Sequence, residues 1–298
     1  MHALVTGSTG LIGSATVAAL RAGGHRVTRL VRVPSAPGEA SVRWDPAAGA
    51  IGTEGLEGLD GVVHLAGENI AAGRWTPAQK AKIRDSRVHG TRLVCDALAR
   101  CARPPAVLVC ASAVGYYGDR GAERLTEESP PGRGFLAGVG RAWEAAAEAA
   151  RRRGIRVVHL RFGMVLSPRG GALAKMLLPF KLGVGGIVGN GRQYWSWISL
   201  DDAVGVIQFA LATDTLRGPV NAVAPQSVTN REWTRALGRA VSRPTVFPLP
   251  RFAARWLFGE MADELLLAST RAVPERLNAA GYPFRDPTLA GYLAAALS

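Results

Sequence analysis

The sequence predicts an α/β fold in which a doubly wound parallel sheet is covered by helices on both faces. Apolar runs such as GVVHLA at 61–66 and AVLVCA at 106–111 alternate with longer helical segments. Because these runs lack the alternation of polar and apolar residues typical of a strand with one wet face, both faces of the sheet should be buried. The chain has 298 residues, of which 48% are hydrophobic and 20% charged. This length and composition predict one large core and a smaller lobe.

The predicted elements follow one another in β-α-β order along most of the chain. Apolar runs predict strands at 3–6, 26–31, 42–44, 61–66, 106–111, 155–160 and 219–224. Helical spacing predicts helices at 11–22, 76–101, 135–153 and 200–213, another between Thr229 and Pro244, and a helical tail with proline breaks. Thr76 with Gln79 and Thr229 with Glu232 form capping boxes at two helix starts. Segment 164–195 is rich in glycine and is predicted to be loop-like.

A glycine-rich turn, TGSTGLIG at 6–13, follows the first strand and opens the first helix. Gly7 permits a sharp turn, Gly10 lets the backbone approach a pyrophosphate, and Gly13 allows the helix to pack closely against the strand. Free N–H groups at the start of a helix attract phosphates. In the first βα turn, this pattern predicts a Rossmann-type dinucleotide site that includes Thr9, Leu11 and Ile12. A tight turn without a ligand is the structural alternative.

The second strand indicates which dinucleotide binds. NAD-binding proteins usually carry an acid about 20 residues after the glycines, where it accepts from the ribose 2′-hydroxyl. This chain has no acid between Gly13 and Pro37, and it carries Arg29 and Arg32 there instead. A guanidinium at the end of the strand matches a 2′-phosphate. We therefore predict NADP(H), bound through Arg32. The alternative is that Arg32 is an ordinary surface charge.

Further motifs resemble those of extended short-chain dehydrogenases/reductases. The glycine-rich turn, HLAG at 64–67, ASAVGYYG at 111–118, RFG at 161–163 and WISLDD at 197–202 carry the resemblance. It implies that the cofactor also contacts residues beyond the first turn, namely Leu65, Ala66, Gly67, Glu68, Ala111, Arg161 and Gly163.

The match is closer to an atypical, epimerase-like subgroup that has a C-terminal extension. The segments GENI at 67–70, IRDSR at 83–87, GALAKM at 171–176 and GEM at 259–261 spread this likeness over essentially the whole chain. The resemblance implies an NADP-dependent oxidoreductase or epimerase whose reaction is not assigned. We expect residues 1–163 to form the NADP(H)-binding core, to which 196–225 return. Segments 164–195 and 226–298 should form a small C-terminal substrate-side lobe.

The Tyr-x-x-x-Lys pair that serves as the usual proton relay of this superfamily is absent from the sequence. None of the five tyrosines has a lysine four residues further on. In one interpretation the chain is an enzyme with other acid/base groups, with Tyr117 as proton donor and Ser112 as an orienting hydroxyl. In the other it binds NADP(H) without turnover, as a sensor or scaffold. The sequence does not decide between them.

Composition and charge argue against several other classes of protein. The formal charge is +13, but the basic residues are not clustered with aromatic ones, so a nucleic-acid partner is not expected. No apolar run reaches the roughly 18 residues of a membrane span. Cys95, Cys101 and Cys110 lack the spacing of metal ligands, so no metal is expected. We expect a cytoplasmic protein that acts on a small-molecule substrate. The sequence is also compatible with a homo-oligomer.

Overall fold

The computed structural model describes residues 1–33 and 39–298, which form two compact units. The first unit contains Met1–Ser112, Val139–Leu160 and Val204–Val220, and the second contains Ala113–Gly138, Arg161–Ala203 and Asn221–Ser298. Segments 113–138, 161–163, 196–203 and 221–225, which were predicted to belong to the core, lie in the second unit. The chain enters the second unit near the carboxyl end of a strand, after Ser112, Leu160 and Val220, and returns to the first unit within a helix, after Gly138 and Ala203.

Fourteen strands and ten helices are described in residues 1–33 and 39–298. The strands are β1 (His2–Thr6), β2 (Arg26–Val31), β3 (Ser41–Asp45), β4 (Ala50–Ile51), β5 (Gly61–His64), β6 (Val107–Ala113), β7 (Arg124–Leu125), β8 (Arg156–Phe162), β9 (Met164–Ser167), β10 (Tyr194–Trp195), β11 (Trp197–Ser199), β12 (Gly218–Ala222), β13 (Val228–Thr229) and β14 (Arg271–Ala272). The helices are α1 (Leu11–Ala22), α2 (Pro77–Arg100), α3 (Phe135–Ala145), α4 (Glu148–Arg152), α5 (Gly171–Lys181), α6 (Leu200–Ala212), α7 (Asn230–Ala240), α8 (Arg251–Phe258), α9 (Glu275–Ala279) and α10 (Leu289–Leu297). A 3₁₀ turn covers Val114–Tyr117, and a π-helical turn covers Ala262–Leu267.

The main sheet has eight strands in the order β12-β8-β6-β5-β1-β2-β3-β4. Strand β1 pairs in parallel with both β2 and β5, and β5 continues in parallel to β6. Only the short β4 is described as antiparallel to its neighbour in this sheet. The chain therefore winds outward from β1 in both directions, which confirms the predicted doubly wound, Rossmann-like sheet. The carboxyl ends of β1 and β5 meet where the strand order reverses, the usual ligand position in such sheets.

Each unit has its own hydrophobic core. In the first, Leu4, Val62 and Leu108 from the sheet pack with Leu98 of α2, and all four are essentially inaccessible to solvent. The second unit is built around indoles, with the Trp195 and Trp233 rings edge to face at 5.6 Å. The three cysteines are buried free thiols.

Two predicted segments differ from the structure. Segment 164–195 is not simply a loop, because it contains β9 and α5. Pro179 lies inside α5, and the surrounding glycines hide a helical run of good helix formers, ALAKMLL. The single helix predicted at 135–153 is divided into α3 and α4. The division comes where Ala147 N donates to Glu144 O at 3.4 Å, so the last turn tightens to an i−3 spacing.

Candidate functional site

The glycine-rich turn connects β1 to α1, and two of its positions accept only glycine. Gly7 has φ of +63°, and a Cβ there would lie 2.8 Å from the backbone of Leu65 and Ala66. A Cβ on Gly13 would lie 2.1 Å from the carbonyl oxygen of Gly7. The sequence thus lets α1 begin directly against the turn, with no side chain between the two backbones.

The first turn of α1 is left open for an anion. Its N-cap is Gly10, which supplies no capping side chain, and the first turn carries no acidic residue. By contrast, Thr76 caps α2 and the Thr229–Glu232 box caps α7. The N–H groups of the first turn have no acceptor within the helix, and the helix dipole adds positive potential there. This arrangement suits the diphosphate of a dinucleotide.

Arg29 in β2 and Arg32 just after it differ in their surroundings. Arg29 donates from Nε to Ser8 Oγ at 2.9 Å, forms an ion pair with Glu39, and has a side chain only 17% exposed. The hydrogen bond that Arg29 donates to Glu39 lowers the pKa of this carboxyl group, and Arg21 contributes in the same direction. Arg32 is exposed, and its side chain makes no hydrogen bond or ion pair with residues 1–33 or 39–298. Arg32 is therefore the available guanidinium at the end of the strand.

Glu39 is a site residue that sequence reasoning missed. It follows the interval from Gly13 to Pro37, which contains no acid. Arg29 N donates to Ala40 O at 3.0 Å, and this bond brings Glu39 and the start of β3 beside β2. Arg29 bridges the two residues, because its guanidinium donates both to the Glu39 carboxylate and to Ser8 of the glycine-rich turn. The sequence feature that could have indicated Glu39 is its position just before the predicted strand at 42–44, which follows closely after β2.

A buried hydrogen-bond network fixes the end of β5 beside the glycine-rich turn. Thr6 Oγ1 accepts from the N–H groups of Leu65 and Ala66 at 3.0 and 3.1 Å and lies 2.8 Å from His64 Nδ1. Two accepted bonds fill the lone pairs of this hydroxyl, so its proton is donated to Nδ1. The proton on His64 Nε2 is then donated to Thr91 Oγ1 at 3.1 Å, and Thr91 also accepts from Trp143 Nε1. His64 is accordingly a structural, neutral imidazole.

This network predicts a pH dependence of stability. Burial lowers the pKa of His64 from 6.5 to about 4. Between these values the unfolded chain takes up a proton that the folded chain does not, so stability falls as the pH drops below about 6.5. We expect the wild type to lose about 2 kcal/mol more than His64→Gln between pH 7 and pH 5 in urea unfolding. His89→Gln, which alters an exposed histidine of α2, should keep the wild-type pH dependence. An unchanged pH dependence in His64→Gln would contradict this assignment.

Residues 65–68 continue from β5 and are held by α2. Glu68 N donates to Ser86 Oγ at 3.0 Å, and Glu68 O accepts from Arg87 Nη1 at 3.0 Å. Burial lowers the pKa of Arg87 to about 10, and its guanidinium lies 5.0 Å from the centre of the Trp143 ring. The backbone from Leu65 to Glu68 therefore has a fixed path next to the glycine-rich turn.

Ser112, near the end of β6, is 3% exposed and donates to Glu144 Oε1 of α3 at 2.8 Å. Sequence reasoning did not select Glu144, because its partner lies 32 residues away and no local pattern marks it. The contact gives the Ser112 hydroxyl a fixed orientation, with its lone pairs left for other donors. The preceding predicted residue, Ala111, is also buried, with 9% of its surface exposed.

Tyr117 occupies a place that does not fit the predicted proton donor. Its side chain is fully buried, and its hydroxyl lies 2.7 Å from Asn221 Oδ1 and accepts from Arg161 Nη1 at 2.9 Å. Burial raises the pKa of Tyr117 to about 12. A phenol without exposed surface and with its partners already in place cannot reach an external substrate. The structure therefore gives Tyr117 a role in fixing the loop after β6.

The predicted cofactor residues Arg161 and Gly163 belong to the second unit, where Arg161 is buried and Gly163 is half-buried. Arg161 is 3% exposed and its guanidinium lies 3.6 Å from the centre of the Tyr116 ring. Gly163 N donates to Ala222 O at 3.1 Å. Through these contacts with Tyr116 and Ala222, both residues fix the carboxyl end of β8 within the second unit.

Both units contain a concavity that can be compared with the predicted site residues. In the second, a cavity of about 210 Å³ is lined by the loop after β6, the residue Arg133 before α3 and parts of the C-terminal segment that include Arg251 and Glu264. In the first, an open groove of about 530 Å³ runs along α2 and α4 and contains none of the predicted site residues. The smaller cavity is not lined by a predicted site residue either, but Gly115 and Gly118 on its wall flank the predicted residue Tyr117 in the sequence, so we take it as the candidate substrate site.

Comparison with known proteins identifies the family. A sequence model of the NAD dependent epimerase/dehydratase family matches residues 3–222. The chain belongs to this family. A second model, described as a domain of unknown function (DUF1731), matches residues 249–296 of this family member and corresponds to the predicted C-terminal extension.

Relatives of this epimerase/dehydratase family member match along nearly the whole chain. An epimerase family protein of Mycobacterium bovis is 47% identical over 285 residues, which are 96% of this chain and 94% of that protein. The crystal structure of human epimerase family protein SDR39U1 (isoform 2) with NADPH has a TM-score of 0.91 and 35% identity, and the match covers 100% of this chain and 99% of the human one. A nucleoside-diphosphate sugar epimerase from Corynebacterium glutamicum has a TM-score of 0.83 and 36% identity, covering 100% of this chain and 58% of that one.

Two features are absent from the part of the chain that the structure describes. No group of three or more histidine, cysteine or acidic side chains could hold a metal ion. No helix combines the length and apolar character required to cross a membrane.

Proposed function

We propose that this epimerase/dehydratase family member binds NADP(H) with its first unit. The observation that supports this proposal is the uncapped start of α1 behind a turn that only glycine can form. The guanidinium of Arg32 after β2 adds to it, because it has no partner among residues 1–33 and 39–298. The similarity to a human protein crystallised with NADPH supports the same cofactor. We further propose that the second unit provides the substrate side, at its 210 Å³ cavity.

Different residues of the first unit would bind different parts of the cofactor. The backbone from Thr9 to Gly13 would hold the diphosphate, and Arg32 would bind the 2′-phosphate. Segment 65–68, whose path is fixed by Thr6, Ser86 and Arg87, would border the adenosine side. When bound, NADPH supplies a hydride to a carbonyl, and NADP⁺ accepts one from an alcohol.

The reaction we propose is hydride transfer between the nicotinamide cofactor and a carbonyl, alcohol or sugar-like substrate, with the proton that the substrate oxygen gains or loses exchanged with solvent water. Ser112 would orient the reacting oxygen, because its hydroxyl is fixed by Glu144 at 2.8 Å. Tyr117 is left out of the proposed acid/base chemistry because its hydroxyl is already engaged with Asn221 and Arg161.

The second candidate is an NADP(H)-binding sensor or scaffold without turnover. The absence of a Tyr-x-x-x-Lys pair from the sequence and the buried position of Tyr117 favour it. The two candidates differ in whether bound NADPH is oxidised by a panel of carbonyl compounds and sugar nucleotides. Oxidation by any member of the panel supports the enzyme, and binding without oxidation supports the sensor.

Arg32→Ala tests the cofactor assignment. A charge-assisted hydrogen bond to phosphate contributes about 1.5–3 kcal/mol, so NADPH affinity should fall at least about tenfold while NADH affinity stays unchanged. Fluorescence titration of both cofactors at fixed salt measures this. The matched control is Arg26→Ala, which removes an exposed arginine at the opposite end of β2 and should change neither affinity. Equal losses for both cofactors, or for both variants, would refute the role of Arg32.

A further inference from the structure

The 210 Å³ cavity of the second unit is small and strongly charged. Its volume lies below the roughly 300 Å³ at which pockets for drug-sized ligands begin, so it fits one group of a substrate, such as a phosphate or a sugar ring. Its charged lining residues are Asp119, Arg133, Arg251, Asp263 and Glu264. The partners of these five side chains decide which charge is available to a ligand.

The carboxylates of the cavity are already engaged. Glu264 accepts from the N–H groups of Phe135 and Leu136 at the start of α3, at 3.0 and 3.1 Å. Asp263 forms an ion pair with Arg255 at 2.9 Å. Asp119 Oδ1 is 3.2 Å from the N–H groups of both Gly121 and Ser269. Each acid therefore has an oxygen occupied by donors of the protein, and Asp263 is also paired with a cation.

The two arginines of the cavity are in the opposite situation. The side chains of Arg133 and Arg251 are exposed, and neither makes a hydrogen bond or an ion pair with any residue that the structure describes. They remain unpaired although three carboxylates line the same cavity. A guanidinium offers a planar pair of donors that matches phosphate and carboxylate oxygens.

We propose that Arg133 and Arg251 form a binding site for an anionic group, a phosphate or a carboxylate, carried by a small substrate. Describing that anion as part of a substrate rests on the proposed function. Arg133 lies two residues before the start of α3, and Arg251 is the first residue of α8 in the C-terminal extension. The extension would thus contribute half of the site, which gives a chemical role to the segment matched by the DUF1731 model.

The test compares anionic and neutral sugars in calorimetric titrations of the full chain saturated with NADPH. We expect glucose 6-phosphate to bind at least about tenfold more tightly than glucose at equal ionic strength. Tight binding of glucuronate as well would identify a site for either anion, and binding of the phosphate alone would identify a phosphate site. Both results support the proposal. Equal affinities for glucose and both anions would overturn it.

Substitutions locate the binding. Arg133→Met and Arg251→Met keep the aliphatic stem and should each weaken glucose 6-phosphate binding about tenfold. Arg235→Met is the matched control, because Arg235 is an exposed arginine of the same unit outside the cavity. An equal loss in the control variant would overturn the assignment.

A parallel NADPH titration separates failure of this inference from failure of the proposed function. We expect wild-type NADPH affinity in both cavity variants. Arginine-dependent sugar-phosphate binding in a protein that does not bind NADPH would refute the proposed function alone. NADPH binding without arginine-dependent anion binding would refute the anion site alone.

Discussion

Replacing Gly13 by alanine is expected to lower NADPH affinity by about 100-fold or more, because it moves α1 away from the turn. The added Cβ would lie 2.1 Å from Gly7 O and 2.8 Å from Gly7 C, so backbone atoms rather than a flexible side chain must shift. The N–H groups at the start of α1 then lose their position for two or more charge-assisted hydrogen bonds. The same clash should destabilise the first unit by about 2 kcal/mol.

The control for Gly13→Ala is Gly73→Ala, because a Cβ on the exposed Gly73 has no neighbour within 4 Å. Its NADPH affinity and unfolding midpoint should match those of the wild type. Calorimetric titration and urea unfolding of the three proteins provide both quantities. Wild-type NADPH affinity in a folded Gly13→Ala protein would show that the ligand does not use this turn.

Replacing Asp202 by alanine is expected to destabilise the second unit by about 3 kcal/mol. This carboxylate is fully buried and accepts from the N–H groups of Arg285 and Asp286, both at 2.9 Å, and from the Tyr282 hydroxyl at 3.1 Å. Removing it leaves the N–H groups of Arg285 and Asp286 without this acceptor, while the Tyr282 hydroxyl keeps only the backbone oxygen of residue 202 at 3.1 Å. All three donors belong to the C-terminal extension. The loss should therefore appear first as faster amide hydrogen exchange in segment 282–298.

The matched control for Asp202→Ala is Asp201→Ala, one residue earlier on the same helix turn but exposed to solvent. Its effect should stay below about 1 kcal/mol, because it removes only a favourable charge near the start of α6. Equal destabilisation by the two substitutions would show that the buried hydrogen bonds of Asp202 do not hold the extension.

The sequence was most informative where a local rule controls the structure. The spacing of Gly7 and Gly13 predicts a turn whose shape depends on its own backbone, and the near-continuous apolar strands predict a sheet buried on both faces. Capping boxes at Thr76 and Thr229 predict two helix starts that the structure contains. Each of these features depends on residues that are close together in the chain.

The candidate site was less predictable because its contacts join distant residues. Glu264 caps α3 from 129 residues away, and Glu144 binds the Ser112 hydroxyl across 32 residues. Tyr117 lies in a motif that marks catalytic residues in similar proteins, but its burial against Asn221 comes from tertiary packing. Likewise, the choice between Arg29 and Arg32 requires the position of Glu39, which follows from the pairing of β2 with β3.

The most direct measurement is the pair of dissociation constants of the wild-type chain for NADPH and NADH, determined by calorimetry at the same ionic strength. The account predicts at least about tenfold tighter binding of NADPH, from one guanidinium on the 2′-phosphate. Equal affinities would contradict the selection by Arg32, and binding of neither cofactor would contradict the dinucleotide site itself.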